Sequence, residues 1–299
     1  MDVLKKKEIN LSRTFSKTPE SCYKVTLANK FSPSRNSIYS KKVRDLFRKN
    51  IWEFYRKNKR NFPWRKTKNP YRILVSEMML QQTQTERVKE KYKKFISLFP
   101  DICTLAEAPM AEVLRAWQGL GYNRRALFLK RTSEIIMKQY NSHVPLDAEI
   151  LKKLPGIGAG TAGALCAFAF NIPSIFIETN IRRVYIHYFF ALRKTVSDKE
   201  ILEYIKATVD KENPREWYYA LMDYGAFLGR REKENPNTKS KHYKKQSPFR
   251  GSEREFRGKV LKTALLHKKI TPLFISEKTG IDKKTTKRIL DALRLEGFL

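Results

Sequence analysis

Two helical segments meet at a glycine-rich turn, Leu154-Pro155-Gly156-Ile157-Gly158-Ala159-Gly160-Thr161-Ala162. A turn with Gly156, Gly158 and Gly160 lets backbone N–H groups approach a phosphate with no side chain in the way. Such a hairpin fixes two helices side by side and so commits the surrounding chain to a helical architecture. The chain continues into Glu178-Thr179-Asn180-Ile181-Arg182-Arg183-Val184, where a carboxylate precedes a helix carrying two arginines. Apolar spacing around the turn is helical throughout. Strand-like alternation is nearly absent between Lys41 and Arg230, which predicts an all-α domain.

The spacing predicts helices over Arg44–Tyr55, from Pro70 onward, and over Arg87–Leu98, Met110–Gln118, Arg124–Tyr140 and Ala148–Lys153. Further helices are expected over Ala159–Phe170, Ile181–Phe190, Asp198–Val209 and Pro214–Phe227. Asn69-Pro70 reads as an N-cap followed by proline at the first helical position. Residues 1–40 are basic and without period, and are expected to form a disordered arm. Residues 41–228 form the main domain and 229–252 a basic loop or linker. Residues 253–299 suggest three helices of a winged-helix or helix-turn-helix-like module, whose third helix presents Lys283, Lys284, Thr285, Lys287 and Arg288. A small helical module packed on the main domain or on a protein is the alternative.

The charge narrows the partner. With 62 Lys and Arg against 30 Asp and Glu, the net charge is +32, and a polyanion is the natural counterpart. No apolar run is long enough to span a bilayer, and the N-terminus lacks the apolar core of a secretory signal. The three cysteines, Cys22, Cys103 and Cys166, are odd in number and far apart, which argues for a reducing compartment. The four histidines have no metal-ligand spacing, and no metal is expected.

Two carboxylates could carry chemistry. Glu77 sits among apolar residues in Val75-Ser76-Glu77-Met78-Met79, where desolvation would let it hold a proton near neutrality, as a general acid must. The alternative is a surface glutamate on a polar stripe. Glu178 could stabilise positive charge developing on a sugar as its base departs. The alternative there is a capping carboxylate with no catalytic role. Gln81, Gln82 and Thr83 place amides and a hydroxyl at one helix end, suited to base edges or to a gap in a base stack. Trp117 and the Gly119-Leu120-Gly121-Tyr122 turn could wedge a duplex.

These segments together resemble the helix-hairpin-helix (HhH-GPD) DNA glycosylase superfamily, most closely its adenine-specific branch. The likeness runs from about Phe62 to Leu228. It is carried by Phe62-Pro63-Trp64-Arg65, Ser76-Glu77-Met78-Met79-Leu80-Gln81-Gln82-Thr83-Gln84, Gly119-Leu120-Gly121-Tyr122, Leu154-Pro155-Gly156-Ile157-Gly158, Asn180-Ile181-Arg182-Arg183-Val184 and Leu221-Met222-Asp223-Tyr224-Gly225-Ala226. The resemblance implies a two-lobed helical fold and a target adenine flipped into a cleft. It implies that Glu77 protonates the leaving purine, that Asn180 assists the second carboxylate, and that Trp64 and Arg65 line the adenine pocket. It further implies that Gln82 fills the vacated stack and that Thr83, Leu120 and Tyr122 lie near the opposite base. Gly121, Gly156, Gly158, Gly160, Thr161, Arg182 and Arg183 are expected to touch DNA beside Gln81.

The chain departs from the family in four places. Glu178 stands where the family has aspartate. One methylene moves a carboxylate by roughly 1.5 Å, and a shift of about that size costs on the order of a hundredfold in rate. Gly160 stands where bifunctional members carry a lysine, so strand cleavage is not expected. No cysteine follows Cys166, so a four-cysteine iron–sulfur site is absent and no cofactor is expected. The chain ends in the helical module instead of the family's β-rich domain for 8-oxoguanine.

The reading is a monofunctional enzyme of base excision repair, acting as a monomer on double-stranded DNA with a mismatched or damaged base. It would release adenine opposite guanine or 8-oxoguanine, in the cytoplasm at the nucleoid of a prokaryote or in the nucleus of a eukaryote. Two alternatives remain at this point: release of thymine or uracil opposite guanine, and a DNA-binding protein that has lost catalysis.

Overall fold

The computed structural model describes residues 40–232 and 234–299, and the expected N-terminal arm lies outside them save for its last residue. Among the described residues the secondary structure is helical, with one isolated bridge between Val196 and Ser240. The helices are α1 (Lys41–Asn58), α2 (Pro70–Leu80), α3 (Thr85–Leu98), α4 (Ile102–Glu107), α5 (Met110–Trp117), α6 (Arg124–Gln139) and α7 (Ala148–Leu151). They continue as α8 (Ala159–Phe170), α9 (Thr179–Phe189), α10 (Asp198–Thr208), α11 (Pro214–Arg231), α12 (Glu253–Leu266), α13 (Pro272–Thr279) and α14 (Lys283–Leu295). No helix among the described residues is long and apolar enough to cross a membrane.

Two lobes share one core. Helices α2 to α8 pack among themselves, while α1 gathers α9, α10 and α11, and α11 also touches α8. Phe47 on α1 is the hub of the second lobe. Its ring lies 5.0 Å from Tyr188, 5.0 Å from Phe189, 5.3 Å from Tyr185 and 5.9 Å from Trp217. Each such aromatic pair contributes about 0.5–1.5 kcal/mol beyond its buried area. That cluster fixes the C-terminal half of α9, the helix that Glu178 caps, on α1 and α11.

Local signals set the helix ends. Asn69 accepts from the Arg72 N–H with Pro70 at the first helical position. Ser197 and Glu200 form a reciprocal capping box on α10. Gly156 adopts φ +76°, and a side chain there would begin 2.8 Å from both Met78 Cε and Phe128 Cβ. The hairpin can therefore pack on α2 and α6 only with glycine at this position.

Two stretches differ from the sequence reading. Helix α11 runs to Arg231, beyond the expected end at Phe227. The chain after it then returns to the second lobe through a 3-10 turn, Pro236–Lys239, with Val196 N–H donating to Lys239 O and Lys241 N–H to Val196 O. Part of the expected linker is thus built into the main domain, because its polar side chains find partners on α9. The last three helices, α12 to α14, pack on one another and α12 also leans on α5. No strand pair accompanies them among the described residues, so the module seen is a three-helix unit.

Candidate active site

Glu77 projects from α2, a helix in which Ile73, Leu74, Val75, Ser76, Met78 and Met79 are all buried. The residue is partly exposed but its carboxyl is buried, and among the described residues nothing donates a hydrogen bond to it. Burial pushes its pKa up to about 8, the charge of Glu178 pushes the same way, and Arg65 opposes both. A carboxyl that keeps its proton near neutral pH has the property required of a general acid.

Glu178 is the N-cap of α9. Its Oε1 accepts the N–H groups of Asn180 and Ile181, each at 2.8 Å, and its Oε2 accepts the Asn180 side-chain amide at 3.3 Å. Burial raises its pKa, while those two backbone N–H groups, Arg183 and Arg182 favour the charged form. The capping expected of Glu178 is seen in this geometry. The residue also lies within electrostatic reach of Glu77. Glu77 has no donors and Glu178 has three, so a proton shared by the pair resides on Glu77.

Around them the side chains sort unevenly. Arg65 grips buried Asp223 with two bonds of 2.8 Å and lies 4.4 Å over the Tyr219 ring. Asp223 also takes Arg60 Nε at 2.6 Å. Burial and the Glu77 charge both raise the Tyr219 hydroxyl pKa, so that phenol lies within electrostatic reach of the acid. Trp64 differs: its ring is buried, stacked 4.9 Å from Phe62 and edge-on to Tyr92 at 5.7 Å. It packs in the core, and neither of these ring contacts involves Glu77. An open hollow of about 460 Å³ between Pro63, Arg72 and Tyr92 is lined by neither Glu77 nor Glu178.

Asn180 and the two arginines form a chain of contacts. Arg183 NH1 donates to Asn180 Oδ1 at 2.9 Å and to Gly225 O at 2.7 Å, while its Nε reaches Asn235 Oδ1 at 3.3 Å. Arg182 is held bidentate by Asp198 at 2.8 and 2.7 Å. Each guanidinium is thus engaged within the protein while staying partly exposed.

The hairpin stands open. Gly158 caps α8 without a side-chain bond, and Gly158 and Ala159 are exposed, so first-turn N–H groups face solvent. Gly160 lies beside the Ile177 carbonyl. Gln81 braces the turn, donating to Thr161 Oγ1 at 3.1 Å and Gly156 O at 3.3 Å. Thus Gln81 and Thr161 bond each other. Gln82 is exposed in a left-handed conformation, φ 53°, at the tip of α2. Leu120 is buried, while Gly121 and Tyr122 are exposed.

Sequence reasoning missed Arg125. Its guanidinium is buried and donates to the carbonyls of Met78 (2.9 Å), Met79 (2.8 Å), Gln81, Leu120 (3.2 Å) and Gly121 (2.9 Å), and to Thr83 Oγ1 (3.0 Å). One side chain thereby ties the end of the Glu77 helix to the Gly119–Tyr122 loop. Burial pulls its pKa down to about 10. The only signal was a cation, Arg125, on the apolar side of α6.

No group of three or more His, Cys, Asp or Glu among the described residues could hold a metal ion. The segment after α11 contains no cysteine, and its Asn235 and Asn237 bond Arg183 and Thr179 O instead. Those residues do not fit an iron–sulfur cluster.

Comparison with known proteins follows the same lines. The profile of the HhH-GPD superfamily base excision DNA repair proteins matches residues 75–210. Over 174 residues the chain is 38% identical to an adenine DNA glycosylase of Buchnera aphidicola, covering 57% of this chain and 49% of that protein. It is 29% identical to a thymine/uracil-DNA glycosylase of Methanothermobacter thermautotrophicus, covering 62% of this chain and 86% of that one. The solved structure of a thermostable thymine-DNA glycosylase superposes with a TM-score of 0.61 at 28% identity, covering 65% of this chain and 91% of that chain. The chain spans about half the length of the curated adenine DNA glycosylases it matches.

Proposed function

Because the profile of the HhH-GPD superfamily of base excision DNA repair proteins matches residues 75–210, we propose that the chain is a monofunctional DNA glycosylase that releases mispaired adenine from duplex DNA. The observation that carries this reading is the pairing of Glu77, which has no hydrogen-bond donor and a pKa pushed up to about 8, with a Glu178 whose carboxylate accepts three N–H groups. The C1′–N9 bond breaks with its electron pair leaving on the purine. Glu77 gives its proton to N7 of that purine. Ionised Glu178 faces the cationic sugar. Water adds to C1′, its proton returns to a carboxylate, and an abasic site remains. Glycine at position 160 supplies no amine, so no Schiff base forms and the strand stays whole.

DNA enters this reading through the open hairpin, where Gly158 and the first turn of α8 offer N–H groups to a phosphate. Gln82, at its exposed left-handed position, fills the stack left by the flipped base, and Tyr122 contacts the opposite strand. Both carboxylates and the hairpin come from one chain, so a monomer suffices. The enzyme acts where its cell keeps DNA.

Base release from duplexes carrying adenine opposite guanine, cytosine or 8-oxoguanine tests the proposal, with thymine and uracil opposite guanine run beside them. Adenine release opposite guanine or 8-oxoguanine is expected. Release confined to the pyrimidines would move the activity toward the thymine/uracil glycosylases, and release from none would leave a DNA-binding protein.

A further inference from the structure

The segment Tyr243-Lys244-Lys245-Gln246-Ser247-Pro248-Phe249-Arg250 leaves the second lobe and reaches the Gly119–Tyr122 loop before entering α12. Its end is pinned there. Arg254 NH1 donates to the Tyr122 hydroxyl at 2.8 Å, and its NH2 donates to Ser247 O at 2.7 Å. Gln246 Nε2 also donates to the Tyr122 hydroxyl. The Tyr122 ring lies between two guanidinium groups, Arg125 at 5.6 Å and Arg254 at 5.9 Å. The three-helix unit behind is fastened by Glu296, which pairs with Arg124 and Arg257, each at 2.9 Å.

The outward face of this strap has an uncommon composition. Lys244, Lys245 and Arg250 are exposed; the two lysines form no ion pair among the described residues, and Arg250 lies within electrostatic reach of Glu255. Tyr243 is 42% exposed and Phe249 61% exposed, so two aromatic rings stand in water beside those cations. Exposed aromatic rings next to exposed cations suit a nucleic acid, whose sugars and bases take the rings and whose phosphates take the charges. The basic residues of α14 are the competing surface, and there Arg288 is paired with Glu253 at 2.8 Å.

We propose that the strap Tyr243–Arg250 is a second DNA-binding arm of the same site. Lys244, Lys245 and Arg250 take phosphates of the duplex held against the Gly119–Tyr122 loop, and Phe249 packs on its sugars. The arm rests on the glycosylase reading for its choice of partner. It assigns to the C-terminal unit the task of anchoring the strap beside Tyr122.

Equilibrium binding of the full chain to a duplex with a tetrahydrofuran abasic-site analogue tests this without requiring catalysis. Replacing Lys244, Lys245 and Arg250 together by alanine is expected to lower the slope of log K against log salt by about 2 to 3, and to weaken binding about 10- to 100-fold near physiological salt. Phe249→Ala is expected to weaken binding about tenfold with the slope retained. The matched triple variant Lys283→Ala, Lys284→Ala, Lys287→Ala on α14 is expected to keep the wild-type slope. An unchanged slope in the strap variant, or a loss confined to the α14 variant, overturns the proposal. Failure of adenine release by the wild-type chain would reject the glycosylase reading while leaving the slopes readable.

Discussion

Gly225 on α11 lies flat against Asn180 on α9. A side chain at 225 would begin 2.7 Å from Asn180 Cβ and closer still to its carbonyl oxygen. Asn180 in turn holds Glu178 through both its backbone and side-chain N–H groups. Gly225→Ala is expected to cost roughly 1–3 kcal/mol of stability by overpacking. Base release should fall by more than the loss of folded protein explains, because the displaced element carries Glu178. Thermal unfolding and single-turnover release on the same preparation separate the two effects.

Glu77→Gln is expected to lower base release by about 10²- to 10⁴-fold, the range of general acid catalysis, while duplex binding persists. Unchanged release would remove Glu77 from the reaction. In the wild-type chain the rate should decline as pH rises through about 8, where Glu77 loses its proton.

The same group shapes stability. Burial raises its affinity for a proton from an ordinary 4.5 to about 8, so between those values the folded chain keeps a proton that the unfolded chain has released. Stability contributed at this site is therefore complete below 4.5 and is lost as pH rises toward 8. Glu77→Gln is expected to raise the melting temperature at pH 8, with a gain that shrinks toward acid pH. Melting curves of both proteins across that span check the sign.

Glu178→Asp keeps a residue able to cap α9 but withdraws the carboxylate toward the backbone. If the site is built around glutamate, release should fall by roughly 10- to 100-fold. A gain would show instead that the chain has drifted from an aspartate enzyme. Quench-flow or gel-based single-turnover rates decide between them.

Arg125→Lys retains charge but cannot span the seven acceptors, the Tyr122 carbonyl included, that the guanidinium reaches. The variant is expected to lose roughly 2–4 kcal/mol of stability, because buried carbonyls at the end of α2 and in the Gly119–Tyr122 loop lose their donor. Denaturant unfolding measures the loss. A change below experimental error would mean that water replaces the guanidinium.

Much of this was legible where the cause is local. Asn69 before Pro70 announces a helix start through bonds made within three residues, and Glu178 ahead of Asn180 and Ile181 does the same. The hairpin at Gly156 is legible because few residues besides glycine take φ +76°. Arg182 and Arg183 read as surface cations because their partners stand far off in sequence, at Asp198, Gly225 and Asn235. Arg125 was missed for the same reason, since its acceptors are backbone oxygens with no sequence signature. Trp64 and Leu120 carry no mark that distinguishes a ring or chain turned inward from one turned toward a ligand.

Glu178 serves two masters: the amides that begin α9 and, in the proposed reaction, the sugar. Selection for heat resistance and selection for turnover therefore act on one side chain and cannot be satisfied by separate substitutions. A laboratory lineage pushed toward a tougher protein would find position 178 closed to it, and would have to collect its improvements at the far ends of the molecule.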